Sequence, residues 1–261
     1  MEGKIVYGVA QGVARLVIDS PARLNAMSLD MWRAIPALVE TAVADPHVTA
    51  IVLEGAPDQA FCAGADISRF KVERSGAAAV EAYDLAVEAA ETALANAEKP
   101  TLALIRGICY GGGLGLAMTC DLRLARADAK FRLPAARLGI GYSMQGVSRL
   151  ARRLGLAATS EILFTANSFD ASGGKALGIV QHVYSAAEFD GAVAAFIANI
   201  AQNAPLSMRA AKRALTAFEN AMAPAATPAV VQAIVDCYES HDYREGQQAF
   251  AEKRLPRFTG A

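Results

Sequence analysis

The chain has 261 residues, 54% of them hydrophobic and 20% charged, with a formal net charge of −1. That balance excludes a disordered chain, and it leaves no electrostatic footprint for nucleic acid or a membrane surface. No apolar run reaches the roughly 18 residues of a membrane-spanning helix. The start, Met1-Glu2-Gly3-Lys4, has no signal-peptide pattern, so the expected location is the cytoplasm.

Residues 13–19 are predicted to form a strand, followed by a turn-rich connection over 20–26. Ser28 or Asp30 can cap the next helix, in which Met31, Ile35, Leu38, Val39, Ala42 and Val43 make an apolar stripe. Asp45-Pro46 ends that helix, and residues 50–54 read as a buried strand from their β-branched content. Residues 76–98 are alanine-rich and predicted helical, Lys99-Pro100 stops them, and 101–105 is a further strand. Next comes Tyr110-Gly111-Gly112-Gly113-Leu114-Gly115, running into apolar helix-like sequence that ends at Cys120-Asp121. A strand, a glycine turn and a helix start present bare backbone N–H groups. Such groups bind an oxyanion or a polarised carbonyl without a charged side chain. Between Gly111 and Cys120 there is no acid or base, so this segment speaks to binding more than to reaction. By itself, the triple glycine reads equally as a tight turn with close helix–strand packing.

Residues 122–125 form another strand, and after Gly146 the pattern is almost wholly helical: 147–154, 157–166, 172–178, 186–202, 205–222 and 225–240. The alternation of strands and helices up to about residue 130 argues an α/β arrangement. Asn203-Ala204-Pro205 is the best boundary, separating a core over 1–203 from a helical region over 204–261. An apolar helical appendage of this kind is expected to pack against a neighbouring subunit.

The four cysteines, Cys62, Cys109, Cys120 and Cys237, form no C-x-x-C pair and have apolar neighbours, which suits reduced, buried thiols. His47, His182 and His241 have no ligand spacing, so no metal site is expected. A phosphate loop is excluded because no Gly-Lys-Ser/Thr follows the glycines. A dinucleotide fingerprint fails on the spacing of Gly111, Gly113 and Gly115 and on the lack of an acid near position 135.

Four segments in order, spanning essentially the whole chain, resemble the crotonase (enoyl-CoA hydratase/isomerase) superfamily. They are Arg23-Leu24-Asn25-Ala26, then Ala60-Phe61-Cys62-Ala63-Gly64-Ala65-Asp66-Ile67, then Lys99-Pro100-Thr101 through the triple glycine to Cys120-Asp121, and finally Asp242-Tyr243-Arg244-Glu245-Gly246 through Phe250-Ala251-Glu252-Lys253-Arg254. The resemblance implies a spiral of ββα units with a helical C-terminal region. It implies an acyl-CoA thioester as substrate, with coenzyme A part of that substrate and no further cofactor. It also implies a homotrimer or dimer of trimers assembled through the C-terminal helices. By motif position, the N–H groups of Ala65 and Gly112 would hold the thioester oxygen as enolate charge develops. Ala63, Gly64, Asp66, Ile67, Gly111 and Gly113 would line the substrate. Lys253 and Arg254, in the C-terminal motif, are candidates for phosphate contact, as are Arg69 and Lys71 after the first segment.

Hydratases of the family carry two glutamates, one just after the triple glycine and one just after the proline of the following loop. Those positions hold Gly115 and Ala135 here, and neither side chain can transfer a proton. Ala135 would then only line the acyl pocket. In a methylmalonyl-CoA decarboxylase branch a tyrosine stands at the position of Tyr142. That makes Tyr142 the candidate for chemistry, weighed evenly against a half-buried tyrosine bonding a backbone carbonyl. Ser143 suits helix capping before Val147, and an aspartate nucleophile of the dehalogenase branch is absent there. Glu81, Asp84 and Glu88 read as a solvated helix face, with Tyr83 a weaker pocket candidate. Arg149, Arg152 and Arg153 read as snorkelling surface arginines. Three functions stay open: enolate chemistry such as decarboxylation, a non-catalytic acyl-CoA-binding subunit, and slow hydration through Tyr142 or an ordered water.

Overall fold

The computed structural model describes residues 3–56, 60–66, 69, 76–222 and 225–260. In chain order its strands are β1 (Lys4–Ala10), β2 (Val13–Asp19), β3 (Ala50–Gly55), β4 (Ala60–Cys62), β5 (Thr101–Ile105), β6 (Ile108–Tyr110), β7 (Leu122–Arg126), β8 (Lys130–Arg132), β9 (Ser168–Asp170) and β10 (His182–Tyr184). The helices are α1 (Leu29–Ala44), α2 (Ala77–Ala95), α3 (Gly112–Ala117), α4 (Met144–Leu154), α5 (Leu156–Thr165), α6 (Ala171–Ala176), α7 (Phe189–Ala201), α8 (Pro205–Ala221), α9 (Pro228–Glu239) and α10 (His241–Ala251). They fall into two compact units, one of Met1–Phe131 with Phe169–Phe218, the other of Arg132–Ser168 with Glu219–Ala261.

The first unit is built on a six-stranded sheet of order β1-β2-β3-β5-β7-β10. Only the β1–β2 pair is antiparallel; the other neighbours run parallel. Parallel strands covered on both faces read as unbroken apolar runs, and every residue of β5 is buried. Because side chains alternate across a strand, Val13, Ala50, Val52, Leu102, Leu104 and Leu124 share one face. Phe189, Val193 and Ile197 of α7 pack against it. Leu16, Ile18, Ile51, Leu53 and Ala103 fill the other face and are fully buried. The second, four-stranded sheet has the order β4-β6-β8-β9.

Helix α1 starts where the Ser28 hydroxyl accepts the Met31 N–H at 3.4 Å, and it buries Met31, Trp32, Ile35, Val39 and Ala42. Lys99 does more than break the following helix. Its Nζ donates to the Ala42 carbonyl at 2.8 Å and to that of Asp45, so it closes the C-terminus of α1, where a cation is favoured.

A buried ion pair ties α8 to the sheet. Lys212, 5% exposed, lies 2.5 Å from Asp121 Oδ1, while Asp121 Oδ2 accepts the Thr101 N–H at 2.8 Å and the Thr101 hydroxyl at 3.0 Å. Removing one partner of such a pair strands the other charge. Asp121→Ala should therefore cost about 3 kcal/mol, measured as a lower free energy of unfolding in urea; Lys212→Met should cost less, because the Asp121 carboxylate it leaves behind is partly exposed and still accepts from the Thr101 N–H and hydroxyl.

In the second unit the arginines of α4 depart from the sequence expectation. Arg149 is 6% exposed rather than snorkelling. Arg152 meets the Ser148 hydroxyl, and Arg153 pairs with Glu219 at 3.0 Å. Periodicity marks a helix face but does not tell a solvated arginine from one held inside by a partner distant in sequence.

Candidate functional site

Strands β4 and β6 are three residues each, and their parallel pairing sets Ala60 against Ile108 and Cys62 against Cys109, with a register irregularity between. Parallel strands end on the same side. The chain therefore leaves both at one edge, through Ala63-Gly64-Ala65-Asp66 and through Tyr110-Gly111-Gly112-Gly113. The two exits nearly touch. A Cβ built on Gly64 would lie 3.1 Å from the Tyr110 carbonyl oxygen and 3.4 Å from Gly112 N; one built on Gly112 would lie 3.9 Å from Ala65 N. Gly64 also sits at φ +104°, in the region that only glycine enters without strain.

The hydrogen bonding leaves two donors unspent. Met27 and Ala65 form a parallel bridge in which the Met27 N–H donates to the Gly64 carbonyl at 2.8 Å and the Asp66 N–H donates to the Met27 carbonyl at 2.9 Å. The peptide groups on either side of Ala65 are thereby engaged, and its own N–H points away from the bridge. Helix α3 begins at Gly112, and its first bond is from the Gly115 N–H to the Gly111 carbonyl at 3.1 Å. The Gly112 N–H, in the first turn, has no partner in the helix. Among the described residues neither N–H has an acceptor, and Ala65 and Gly112 are both partly exposed. Two adjacent, backbone-fixed donors of this kind are suited to one oxygen atom carrying partial negative charge.

The surrounding side chains hold that backbone. Asn25 is 1% exposed; its Oδ1 accepts the Ser20 N–H at 2.9 Å, and its Nδ2 donates to the carbonyls of Ala60, at 2.8 Å, and Ala56. It thus staples the 20–26 turn to β4. The buried Asp66 carboxylate pairs with Arg23. Gly113 packs on Cys62 so tightly that a Cβ there would stand 2.5 Å from the Cys62 carbonyl oxygen. Burial pushes the Cys62 thiol up to about 12, so it stays protonated and takes no nucleophilic part near neutral pH. The Trp32 ring covers Gly112, with Cζ2 3.2 Å from where a Cβ would be. Sequence periodicity offered no sign of the roles of Met27 and Trp32, because each acts on residues far along the chain.

Next to the first loop lies a cleft of about 670 Å³, lined among others by Lys4, Ser20, Arg23, Ser28, Asp66 and Arg69. Its charged lining is mixed, with Lys4, Arg23 and Arg69 set against Asp19 and Asp66, and Arg23 already paired with Asp66. Ile67 and Lys71 lie outside the described residues. On α2, Glu81, Asp84 and Glu88 are exposed, as a solvated face requires, while Tyr83 is 1% exposed and turned inward. Gly115 is buried within α3.

Ala135, Tyr142 and Lys253 belong to the second unit. Ala135 is buried at the start of a 3-10 turn, Ala135–Leu138. Helix α10 crosses that turn at close range: a Cβ on Gly246 would stand 2.6 Å from the Leu138 carbonyl carbon. Helix α9 likewise presses Ile234 onto Gly141. Tyr142 follows, half-buried, its ring over Gly146, where a Cβ would be 2.6 Å from Cε1. Ser143 caps α4 by accepting the Gly146 N–H at 3.1 Å. Lys253 is exposed, and Arg254 is engaged by Glu245 at 2.6 Å and Glu252 at 2.6 Å. The C-terminal motif therefore forms an internal staple. Its Glu245 also accepts the Arg257 N–H at 2.7 Å.

The Arg254 guanidinium, with the Arg257 N–H, holds the Glu245 carboxyl at about 2, below its ordinary 4.5. A depressed carboxyl supports the fold in full above its ordinary value, and that support is lost as the pH falls from there through about 2. Glu245→Gln should loosen the terminal segment at every pH above that window, seen as faster amide exchange at Arg257. In the first unit, Gly113→Ala should cost about 1–3 kcal/mol through the clash with Cys62, read as a lower thermal midpoint; an unchanged midpoint would mean that β4 gives way freely.

Among the described residues no group of three or more His, Cys, Asp or Glu could hold a metal ion, and no helix is long and apolar enough to cross a membrane. The family described as enoyl-CoA hydratase/isomerase matches residues 8–261. A short-chain-enoyl-CoA hydratase of Clostridium acetobutylicum is 30% identical over 244 residues, covering 93% of this chain and 92% of that protein. The crystal structure of a putative enoyl-CoA hydratase/isomerase family protein from Hyphomonas neptunium is 36% identical, with a TM-score of 0.80 and 98% of each chain covered. A methylmalonyl-CoA decarboxylase, solved in complex with 2-nitronate-propionyl-CoA, is 25% identical with a TM-score of 0.88 and 99% of each chain covered.

Proposed function

The chain belongs to the enoyl-CoA hydratase/isomerase family, and from that premise we propose that it binds an acyl-CoA thioester and stabilises the thioester enolate. The observation that carries this reading is the pair of unspent N–H groups of Ala65 and Gly112, whose backbones lie side by side. They would receive the thioester oxygen, each supplying about 3 kcal/mol to the charged transition state. Ala63, Gly64, Asp66, Ile67, Gly111 and Gly113 would line the thioester and pantetheine. Lys4 and Arg69 of the adjoining cleft would take the phosphates, with Lys253 a further phosphate contact.

The reaction we infer is decarboxylation of a malonyl-CoA-like substrate. Gly115 and Ala135 stand where hydratases of the family carry glutamates, so the chain offers no carboxyl acid–base pair there. Decarboxylation needs none to begin. The bond from Cα to the carboxylate breaks, its electron pair passes into the thioester enolate, and CO₂ leaves. Water then supplies the proton to Cα. Tyr142 would orient the departing carboxylate. The solved decarboxylase of high structural similarity supports this reading. A second reading, hydration of an enoyl-CoA through Tyr142 or an ordered water, is favoured by relatives named as hydratases.

Purified protein incubated with crotonyl-, malonyl-, methylmalonyl- and aryl-acyl-CoA, followed by mass spectrometry, separates these readings. Loss of CO₂ is the expected outcome, with Tyr142→Phe lowering kcat about tenfold or more. Water addition to crotonyl-CoA, raised by Gly115→Glu or Ala135→Glu, would favour the hydratase reading instead. Tight binding with no conversion would leave an acyl-CoA-binding subunit.

We also propose a homotrimer or dimer of trimers joined through the C-terminal helices. Leu206, Leu215 and Phe218 of α8, exposed by 76%, 62% and 65%, support it. Light scattering should give three or six times the 27.3 kDa of one chain.

A further inference from the structure

A line of side chains distant in sequence joins the two donor loops from behind. Trp32, on α1, donates its Nε1–H to the Tyr83 hydroxyl on α2 at 2.9 Å. The Tyr83 hydroxyl in turn reaches the Met27 carbonyl at 3.5 Å. Met27 is the residue whose N–H and carbonyl hold the peptide groups on either side of Ala65, at 2.8 and 2.9 Å. At the other end, the Trp32 ring lies against Gly112, with Cζ2 and Cη2 at 3.2 and 3.6 Å from where its Cβ would be. The order of contact is Gly112, Trp32, Tyr83, Met27, Ala65, so one oxyanion donor is connected to the other through two aromatic side chains and one peptide.

Trp32 and Tyr83 are each 1% exposed. An α1–α2 contact could be packed with phenylalanine alone, with no polar atom to desolvate. An indole N–H aimed at a phenol oxygen adds what apolar packing lacks, which is direction. It fixes the ring plane of Trp32 and the rotamer of Tyr83 relative to the backbone of Met27. We propose that the Trp32–Tyr83 pair is a positioning device that sets the separation and aim of the Ala65 and Gly112 N–H groups. The proposal rests on the oxyanion reading of those groups. Neither side chain reaches the thioester oxygen; both act through the backbone. Donors that stabilise developing charge must be held to within about 0.5 Å of their working geometry, which is the task of the packing behind them.

Tyr83→Phe deletes one oxygen and keeps the ring, so it carries the decision; Trp32→Phe and the double variant accompany it. The probe is acetoacetyl-CoA, whose enolate absorbs in the near ultraviolet, titrated while bound at saturation. Free CoA binding, which does not use the oxyanion donors, is measured alongside. In the wild type, binding should lower the pH at which the probe ionises. In Tyr83→Phe and Trp32→Phe that midpoint should rise by about one pH unit, a tenfold loss of enolate stabilisation. Affinity for free CoA should stay within about twofold of the wild type, and the double variant should be no worse than the singles, as for coupled residues. Variants that keep the wild-type midpoint while unfolding at lower temperature would overturn the proposal and leave the oxyanion reading standing. A wild type that binds the probe without shifting its ionisation, or does not bind it, would overturn both.

Discussion

The arrangement at this site depends on one constraint, the parallel pairing of two three-residue strands. Because β4 and β6 run the same way, both chain exits fall at one edge, and the backbone can offer two donors from separate segments to one point. The bridge between Met27 and Ala65 then decides which hydrogen-bonding groups are spent and which are kept. Had the register slipped by one residue, the Ala65 N–H would be consumed in the ladder and the neighbouring groups released in another direction. The six-stranded sheet, with α7 on one face, supplies the rigidity against which these short, weakly cooperative elements hold their register.

Backbone donors bring a particular economy to a thioester site. They carry no titratable group, so their contribution does not change with pH, and among substitutions at their own positions only proline deletes the N–H outright. The reaction is decided elsewhere, by the side chains that surround the acyl group. Relatives of this fold include proteins named for hydration and for decarboxylation. In this chain the helix after the triple glycine is lined by Leu114, Gly115, Leu116 and Ala117, all buried and none ionisable. The scaffold for holding the oxygen is thus separable from the machinery for moving a proton.

Much of the fold could be read from the chain because long apolar runs leave few choices. The strands over 50–54 and 101–105 and the helices α1, α2 and α8 follow directly from periodicity. The three-residue strands β4, β6, β8, β9 and β10 do not, since three residues carry no period. Helix α10 was hidden within the C-terminal motif, whose charged residues turn out to pair with one another. At the site, the glycines and their neighbours were legible as motifs. The bonds by which Asn25, Met27, Trp32 and Tyr83 hold them were not, because the partners lie 35 to 56 residues apart. Arg153 escapes a reading by periodicity for the same reason, since its partner Glu219 lies 66 residues along the chain.

Trp32 is the single tryptophan of the chain. Its indole is fully buried, bonded to Tyr83 and laid against Gly112. All of the indole fluorescence of this protein therefore originates within van der Waals reach of the Gly112 backbone. Its emission is a built-in reporter of that one location, sensitive to the electric field of whatever anion settles there and undiluted by signal from elsewhere in the molecule.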